Sequence, residues 1–424
     1  MGICIKNAHL LYDDRKTRKD VYIEGNTIAG IGRSPEGFRA DTVIDASHKT
    51  LMPGLINAHT HVYMSLFRNF ADDVPFQTWL FERILPIEDY LTAEQCYWGD
   101  MLNFAEMIRT GTTAFLDQQM FTSSCVKAAK DAGIRPVISR GLVGTVRTEE
   151  GVVRRWREAQ ESMEYAKELG SNATFMVAAH AIYTCSEDVL RFVLDAAKEK
   201  GLPITAHLSE TKQEYNDCLK EHGCTPVQYF DRLGLLDHEI TLAHCVWLAD
   251  EDYKLLARPN VHVVTNPASN AKLANGFAPV ARMLREGIDV ALGTDGAASD
   301  NTQNMFTAMH LLSLMQKGVE QESVVLSAKE TLKIATENGA RAAGFGDCLG
   351  KIGEGKKADL ILIDENAPNM LPNFDISSAL VYSATGMEVT DSIIDGKLVM
   401  KDKELLTIDE ERLRFEIAKI TDKF

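Results

Sequence analysis

Short apolar runs rich in β-branched residues alternate with longer helical patterns between about residues 58 and 355. The helical patterns include residues 92–109 and 186–200, and the second begins at Ser186, a residue type that caps helices. Eight of the brief runs are present, at residues 55–58, 113–116, 135–139, 175–179, 204–206, 240–243, 262–265 and 290–294. Repeated βα units of this number predict an α/β protein with a parallel (β/α)8 TIM barrel.

Strand-like segments also occur at both ends of the chain. The N-terminal ones are residues 3–8, 20–23 and 27–31, and the C-terminal ones are residues 358–363 and a hairpin at 391–400 with an Asp-Gly turn. Because strands at both termini need partners, we expect a small composite β-sandwich domain built from residues 1–57 and 356–424. Residues 58–355 would then be an insertion that folds as the catalytic barrel.

Composition narrows the class of protein. The 424 residues are 45% hydrophobic and 25% charged, which is typical of a globular protein with a substantial core. The formal net charge of −16 disfavours nucleic acid and anionic membranes as partners, and no apolar run is long enough to span a bilayer. The first residues lack the features of a secretory signal, and eight scattered cysteines without a C-x-x-C pair suggest reduced thiols in the cytoplasm.

Polar side chains follow the predicted barrel strands where each strand ends. Since the active sites of such barrels lie at the carboxyl ends of the strands, these side chains are expected to face one mouth. The first strand carries His59 and His61, whose alternate spacing aims two imidazoles at one point, as a divalent metal requires. The residues after the other strands are Asp117, Arg140, His180, His207, His244, Asn266 and Asp295. One histidine after a strand is usually structural, but this set together predicts a metal centre.

Six motifs make the chain resemble the metal-dependent amidohydrolases, and within them the methylthioadenosine/S-adenosylhomocysteine deaminases. They lie at residues 53–61 (Pro-Gly-Leu-Ile-Asn-Ala-His-Thr-His), 85–89 (Leu-Pro-Ile-Glu-Asp), 207–210 (His-Leu-Ser-Glu), 243–246 (Ala-His-Cys-Val), 266–270 (Asn-Pro-Ala-Ser-Asn) and 293–299 (Gly-Thr-Asp-Gly-Ala-Ala-Ser). The resemblance implies that His59, His61, His207 and Asp295 bind one divalent metal, most often zinc. Three imidazoles and a carboxylate suit zinc with an open position for water.

The sequence favours a site with one metal over a site with two metals. Members of the superfamily with two metals commonly bridge them with a modified lysine after the fourth strand, whereas here that strand leads into His180. The resemblance further implies that Glu210 is the general acid and base, that Asp295 accepts a proton from the attacking water, and that His244 orients this water.

The resemblance also suggests which residues bind substrate. Glu88 would accept both ribose hydroxyls, His180 would contact the purine, and Arg140 would meet a homocysteine carboxylate. Trp79 would add an apolar wall. A second arginine is expected in the same loop, and the sequence leaves two choices open, Arg147 and Arg154.

The function expected from the sequence is zinc-dependent hydrolytic deamination at C6 of 5′-substituted adenosines. These include 5′-methylthioadenosine, S-adenosylhomocysteine, adenosine and 5′-deoxyadenosine. The alternative within enzymes is a deaminase or hydrolase of another nitrogen heterocycle, such as guanine or a triazine, for which Glu88 would have no sugar to bind. A catalytically inactive scaffold is a third class, but no ligand or acid is missing. We expect a small nucleoside as partner, no nucleic acid or membrane, and an oligomeric state that is compatible with a homo-oligomer.

Overall fold

Eight parallel strands form a nearly closed barrel in the computed structural model, which describes residues 2–14, 16–148 and 150–422. In chain order the strands are β1 (Gly2–Leu10), β2 (Lys19–Glu24), β3 (Thr27–Ile31), β4 (Thr42–Asp45), β5 (Lys49–Pro53), β6 (Leu55–Thr60), β7 (Thr112–Gln119), β8 (Arg135–Leu142), β9 (Thr174–Phe175), β10 (Val177–Ala179), β11 (Ile204–Leu208), β12 (Ile240–His244), β13 (Val261–Thr265), β14 (Asp289–Leu292), β15 (Leu360–Asp364), β16 (Val389–Ile394), β17 (Lys397–Lys401) and β18 (Glu404–Leu405). The barrel runs β6-β7-β8-β10-β11-β12-β13-β14, with the short β9 beside β8. The backbone N–H of Asp295, just after β14, donates to the carbonyl of His59 at 3.0 Å, which brings the last strand back to the first.

Ten of the fifteen α-helices in the described residues lie between the barrel strands, as the alternating pattern predicts, and the other five follow the last barrel strand β14. The helices are α1 (Leu85–Glu88), α2 (Ala93–Arg109), α3 (Thr122–Ala132), α4 (Val152–Leu169), α5 (Glu187–Lys200), α6 (Lys212–His222), α7 (Pro226–Arg232), α8 (Asp252–Leu256), α9 (Pro267–Lys272), α10 (Val280–Arg285), α11 (Met305–Glu320), α12 (Ala328–Lys333), α13 (Gly339–Ala342), α14 (Ile376–Tyr382) and α15 (Glu410–Thr421). Short 3-10 turns occur at Val62–Phe67, Leu235–Asp237 and Pro368–Met370, and π-helical turns at Thr78–Ile84 and Ile334–Asn338. The predicted helix at 186–200 is confirmed as α5, and the Ser186 side chain caps it by accepting from the backbone N–H of Val189.

A second sheet combines strands from both ends of the chain. Its order is β18-β17-β16-β15-β5-β1-β2-β3, with β4 added beside β1. The C-terminal strand β15 pairs antiparallel with the N-terminal β5 over five residue pairs, which joins the two halves directly. The expected composite β-structure is therefore confirmed.

Two hairpin turns from opposite ends of the chain pack against each other. One joins β2 to β3 through Gly25, and the other joins β16 to β17 through Gly396. Gly396 has a φ of +73°, and a Cβ there would lie 2.0 Å from the Gly25 carbonyl oxygen. Nearby, the Asn26 side chain donates to Asp395 at 3.1 Å. Glycine at 396 is thus required both by its backbone conformation and by the close approach of the turns.

The division into domains, residues 1–57 with 356–424 and residues 58–355, remains a proposal. Strand β6 crosses the first of these boundaries, and Met1, Lys423 and Phe424 lie outside the described residues. All eight cysteines have free thiols in this structure, and seven of them are buried. Over the part of the chain that the structure describes, no helix has the length and apolar character needed to cross a membrane.

Candidate active site

The carboxyl ends of the barrel strands surround one cavity of about 840 Å³. Nine predicted site residues line it, namely His61, Trp79, Glu88, Arg140, His180, His207, Glu210, His244 and Asp295. The tenth, His59, lies just beneath the floor with 1% of its surface exposed. The structure thus brings these side chains to one cavity, while their roles remain proposals.

Four side chains converge at the floor of the cavity. The histidines His59, His61 and His207 each offer a ring nitrogen within 4.8 Å of the other two, and His61 Nε2 lies 3.2 Å from His207 Nε2. The carboxylate oxygen Oδ1 of Asp295 lies 3.5 Å from His59 Nε2 and 3.4 Å from His61 Nε2. Three imidazoles and one carboxylate thus point at a common centre.

The hydrogen bonds behind these histidines fit a divalent metal. His61 Nδ1 donates to the Gln118 carbonyl at 2.9 Å, and His207 Nδ1 donates to the His180 carbonyl at 2.7 Å. With the proton fixed on Nδ1, each Nε2 presents its lone pair to the centre. Neither buried ring nitrogen of His59 has a hydrogen-bond partner among the described residues, and a metal ion would satisfy the nitrogen that faces the centre.

The charge states of this group also suit metal binding. Burial lowers the pKa of His59 to about 4 and lowers the pKa values of His61 and His207, so all three imidazoles are neutral near pH 7. Burial would raise the pKa of Asp295, but the surrounding imidazoles outweigh it and hold that pKa well below its usual range. The set therefore carries neutral nitrogen donors and one ionised carboxylate.

The Asp295 side chain is held on its far side. Oδ2 accepts hydrogen bonds from Ser269 Oγ at 2.6 Å and Ser299 Oγ at 2.9 Å, which leaves Oδ1 facing the histidines. The residue has a φ of +68°, an unfavourable conformation for a non-glycine residue that recurs at functional sites. Its orientation is therefore fixed both by the loop after β14, which carries Ser299, and by α9, which carries Ser269.

Glu210 projects into the cavity from the loop after β11. Asn275 Nδ2 donates to its Oε1 at 3.0 Å, and the Tyr183 hydroxyl donates to its Oε2 at 3.4 Å. Burial raises the pKa of Glu210, which is the direction that favours its protonated form. A carboxyl group of this kind can both deliver and accept a proton.

A buried carboxylate fixes the loop that carries Glu210. Glu214 accepts the backbone N–H of Ser209 at 3.1 Å and that of Glu210 at 2.7 Å. Burial and, to a smaller extent, the nearby Glu210 charge raise the pKa of Glu214 to about 7. Thr211 caps the helix α6 that carries Glu214, so the position of the acid depends on the start of this helix.

His244 stands between Glu210 and the metal ligands. Its Nδ1 donates to Asn270 Oδ1 at 2.8 Å, and its Nε2 lies 3.9 Å from Glu210 Oε2. Burial would lower the pKa of His244, but the carboxylates of Glu210 and Asp295 outweigh it and raise the pKa. Asn270 belongs to the 266–270 motif, which therefore sets the orientation of this imidazole.

A segment after β6 supplies another wall of the cavity. Trp79 lies in the π-helical turn Thr78–Ile84, and its Nε1 donates to the Ala298 carbonyl at 3.3 Å. Glu88 ends α1 with 9% of its surface exposed and accepts a hydrogen bond from the Tyr63 hydroxyl at 2.7 Å. Burial raises the pKa of Glu88 to about 7, although Tyr63 and the Arg140 charge oppose this rise.

Two arginines, Arg140 and Arg155, also line the cavity. Arg140 donates from Nε to Glu158 at 3.1 Å, and Arg155 of α4 lies beside it in the cavity lining. The two choices that the sequence left open do not line the cavity. The Arg147 guanidinium lies over the Phe192 ring, 4.5 Å from its centroid, and Arg154 points outward with 57% of its side chain exposed.

Arg155 could have been found from helical periodicity. The buried residues of α4 are Val152, Trp156, Ala159, Ser162 and Ala166. Arg155 is three residues after the first of these and four before the third, so it shares their inward face, whereas Arg154 does not.

The expectation that Asp117 faces the mouth is wrong. Alternate side chains of β7 point to opposite sides, and the inward set of Ala114 and Leu116 continues to Gln118. Asp117 instead points outward, where it accepts from the Cys125 thiol at 3.7 Å. Gln118 lines the cavity with 3% of its surface exposed, and neither of its amide atoms has a partner within the described residues.

Asn266, the residue after β13, also lies away from the cavity lining. Its Nδ2 is 3.3 Å from His244 Nδ1, so it belongs to the packing behind that imidazole. The space is tight, since a Cβ on Gly293 would lie 2.6 Å from Asn266 Oδ1. Asn266 therefore supports the site without facing it.

Comparison with known proteins agrees with this geometry. The model of the amidohydrolase family matches residues 50–399. The chain is 43% identical to a 5-methylthioadenosine/S-adenosylhomocysteine deaminase of Caldanaerobacter subterraneus subsp. tengcongensis, over 99% of this chain and 98% of the relative. It is 41% identical to a 5′-deoxyadenosine deaminase of Methanothermobacter thermautotrophicus, over 97% and 96% of the two chains. The crystal structure of an adenosine deaminase from Xanthomonas campestris with bound zinc is similar with a TM-score of 0.92 and 31% identity, over 99% of this chain and 98% of that one. The chain therefore belongs to the amidohydrolase family and, within it, to the family of the 5-methylthioadenosine/S-adenosylhomocysteine deaminases.

Proposed function

We propose that the protein is a zinc-dependent aminohydrolase that converts 5′-substituted adenosines into the inosine analogue and ammonia. The observation that carries this proposal is that one cavity holds both a metal-binding set and a buried carboxyl group, Glu210, with a second buried carboxylate, Glu88, on its wall. The metal-binding set and Glu210 can together perform hydrolysis at an aromatic carbon that bears an amine. Glu88 can bind the sugar, which a free base lacks.

Zinc held by His59, His61, His207 and Asp295 would supply the Lewis acidity that makes water nucleophilic near neutral pH. The side chains around it move the protons. As the water oxygen bonds to C6, Glu210 gives its proton to N1 of the adenine ring, and Asp295 accepts a proton from the water. His244, whose Nδ1 is held by Asn270, orients the attacking water through Nε2.

Collapse of the tetrahedral adduct then releases ammonia and restores the protonation states of Asp295 and Glu210. The proton on Asp295 passes to the amino group, the C6–N bond breaks, and ammonia leaves. The C6 hydroxyl then returns its proton to Glu210 as the carbonyl forms, so that one water is consumed for each ammonia released. Asn275 and Tyr183 keep the Glu210 carboxyl aimed at the ring in both protonation states.

Recognition of the nucleoside is assigned to the walls of the cavity. His180 Nδ1 is bonded to Thr184 Oγ1 at 2.8 Å, and burial lowers the pKa of His180 to about 3, so a neutral imidazole is left to contact the purine. Trp79 packs on the apolar part of the substrate. Glu88 accepts the two ribose hydroxyls, since an ionised carboxylate offers about four acceptor positions.

The arginine pair bears on the 5′-substituent. Arg140 and Arg155 form a cationic wall that is suited to the carboxylate of S-adenosylhomocysteine. Burial, together with the charge of Arg140, lowers the pKa of Arg155, so a bound anion would relieve repulsion between the two guanidinium groups. A 5′-methylthio group carries no such charge and would gain nothing from this wall.

Replacement of Glu88 by glutamine tests the nucleoside assignment against guanine and triazine substrates. Each charge-assisted hydrogen bond is worth about 1.5–3 kcal/mol, so kcat/KM for a ribonucleoside should fall at least roughly tenfold to a hundredfold. The preference for ribo over 2′-deoxy substrates should shrink at the same time. If the variant keeps the original ribo preference, or if the native protein hydrolyses guanine or a triazine faster than any adenosine, the assignment is wrong.

The setting of the reaction is part of the proposal. We place the enzyme in the cytoplasm, acting on a small nucleoside without a nucleic acid or membrane partner and compatible with a homo-oligomer. The net charge of −16 and the eight free cysteines support this placement.

A further inference from the structure

Tyr63 lies in the cavity two residues after His61 and contacts Glu88. Its hydroxyl donates to Glu88 Oε1 at 2.7 Å, and 4% of its surface is exposed. No other hydrogen-bond donor to Glu88 is found within residues 2–14, 16–148 and 150–422. The phenol is therefore the single fixed anchor of this carboxylate in the described part of the protein.

The Tyr63 ring is itself held from behind. Tyr63 lies in the 3-10 turn Val62–Phe67. Its ring makes an edge-to-face contact with the Phe67 ring, with 6.5 Å between the ring centroids. Its carbonyl oxygen packs on α2 at Gly99, where a Cβ would lie only 2.8 Å from it. Because backbone and ring are both packed, the hydroxyl has little freedom to leave Glu88.

We infer that Tyr63 is a positioning residue that aims the Glu88 carboxylate at the vicinal hydroxyls of the ribose and so sets the preference for ribonucleosides over 2′-deoxyribonucleosides. This inference rests on the proposed function. Tyr63 touches neither the reacting carbon nor the proton-transfer groups, so its effect is on substrate binding.

The count of acceptor positions supports this role. An ionised carboxylate has about four lone-pair positions, and Tyr63 occupies one of them on Oε1. Enough positions remain for two hydroxyls, but only if the carboxylate plane is fixed so that they face the cavity. Without the phenol, Glu88 at the end of the short α1 would have to lose rotamer freedom each time a substrate binds.

The test is Tyr63→Phe, which keeps the ring and removes only the hydroxyl. For 5′-methylthioadenosine we expect KM to rise on the order of tenfold while kcat stays within about twofold, because one charge-assisted hydrogen bond is lost outside the reacting atoms. For the 2′-deoxy analogue KM should change little, so the ratio of kcat/KM values for the two substrates should fall. The matched control is Tyr97→Phe, which removes a tyrosine–aspartate hydrogen bond of 2.8 Å to Asp131 on the exposed surface and should change neither constant.

A double variant separates this role from a merely structural one. If Tyr63 acts through Glu88, the pair Tyr63→Phe and Glu88→Gln should show no more loss of ribo preference than Glu88→Gln alone. An unchanged ribo preference in Tyr63→Phe, or an equal loss on both substrates through kcat, overturns the inference. Failure of the proposed function would be seen in a different experiment. In that case the native enzyme itself would show no turnover of adenosines or no preference for the ribo form.

Discussion

Replacement of Glu210 by glutamine removes the proton that the proposed mechanism delivers to the purine ring, with little change in shape. The side chain is buried and held by Asn275 at 3.0 Å and by Tyr183 at 3.4 Å. A glutamine carbonyl oxygen can still accept from Asn275, so the loop and the cavity should keep their form. What the amide cannot do is give a proton to the substrate and take it back.

The expected size of the loss follows from this geometry. A positioned acid–base contributes about 10²- to 10⁴-fold, which corresponds to roughly 2.7–5.5 kcal/mol of transition-state stabilisation. Burial raises the pKa of Glu210, which is the direction that favours the protonated form this step requires. The metal ligands His59, His61 and His207 are untouched, so metal content should not change.

The assay is ammonia release from 5′-methylthioadenosine at saturating substrate, with metal content and the affinity for the inosine product measured on the same preparation. The control is Glu164→Gln, a surface carboxylate with 69% of its side chain exposed that pairs with Lys167 on α4. A Glu210→Gln enzyme with kcat near that of the native enzyme would refute the assigned proton path. Loss of activity together with loss of metal would also contradict it, since the residue would then act on the metal site.

Three further predictions concern the metal, the arginine wall and the base of the barrel. We expect elemental analysis to find one metal in the native chain, and His59→Ala should remove this metal together with activity. Two metals per native chain would contradict the one-metal site. Arg155→Ala should raise KM for S-adenosylhomocysteine about tenfold or more while leaving that for 5′-methylthioadenosine nearly unchanged, and the neighbouring Arg154→Ala should alter neither. His262 forms hydrogen bonds with two carboxylates, those of Asp289 and Glu239, at 2.8 Å each. Burial would lower the pKa of His262, but the two carboxylates outweigh burial and raise it. The protonated His262 therefore stabilises the folded protein below about pH 6.5, and this stabilisation is lost as the pH rises through the folded pKa. His262→Gln should therefore lower the unfolding temperature clearly near pH 6 and little near pH 9, and an equal effect at both would contradict this.

The barrel could be predicted from the sequence because its strands are buried on both faces. Such strands appear as continuous apolar runs, and the eight predicted runs fall on the barrel strands with shifts of a few residues at their ends. The metal-binding set could be predicted for the same reason. Once parallel strands are located, the residues that follow them must meet at one edge.

The direction of single side chains was harder to predict. The sequence places Asp117 and Gln118 next to each other at the end of β7, and only the alternation that starts at Ala114 decides which one enters the barrel. Similarly, Arg154 and Arg155 are adjacent, and the helical face of α4 separates them. In both cases the local period of the element, and not the residue type, decides which side chain faces the cavity.

Contacts between segments that are distant in the chain leave no local signal. Tyr63 meets Glu88 across 25 residues, and Asn275 meets Glu210 across 65. These hydrogen bonds depend on how the loops fold over the barrel mouth. No spacing rule predicts them, so they could be found only from the structure.

The most direct test of the proposed function is the turnover of a substrate panel by the purified protein, with its metal content measured on the same sample. The panel holds 5′-methylthioadenosine, S-adenosylhomocysteine, adenosine, 5′-deoxyadenosine, guanine and a triazine. We predict ammonia release from the adenosines, the corresponding inosine products, and close to one zinc per chain. Faster turnover of guanine or the triazine than of any adenosine, or full activity after exhaustive removal of metal, would contradict the account.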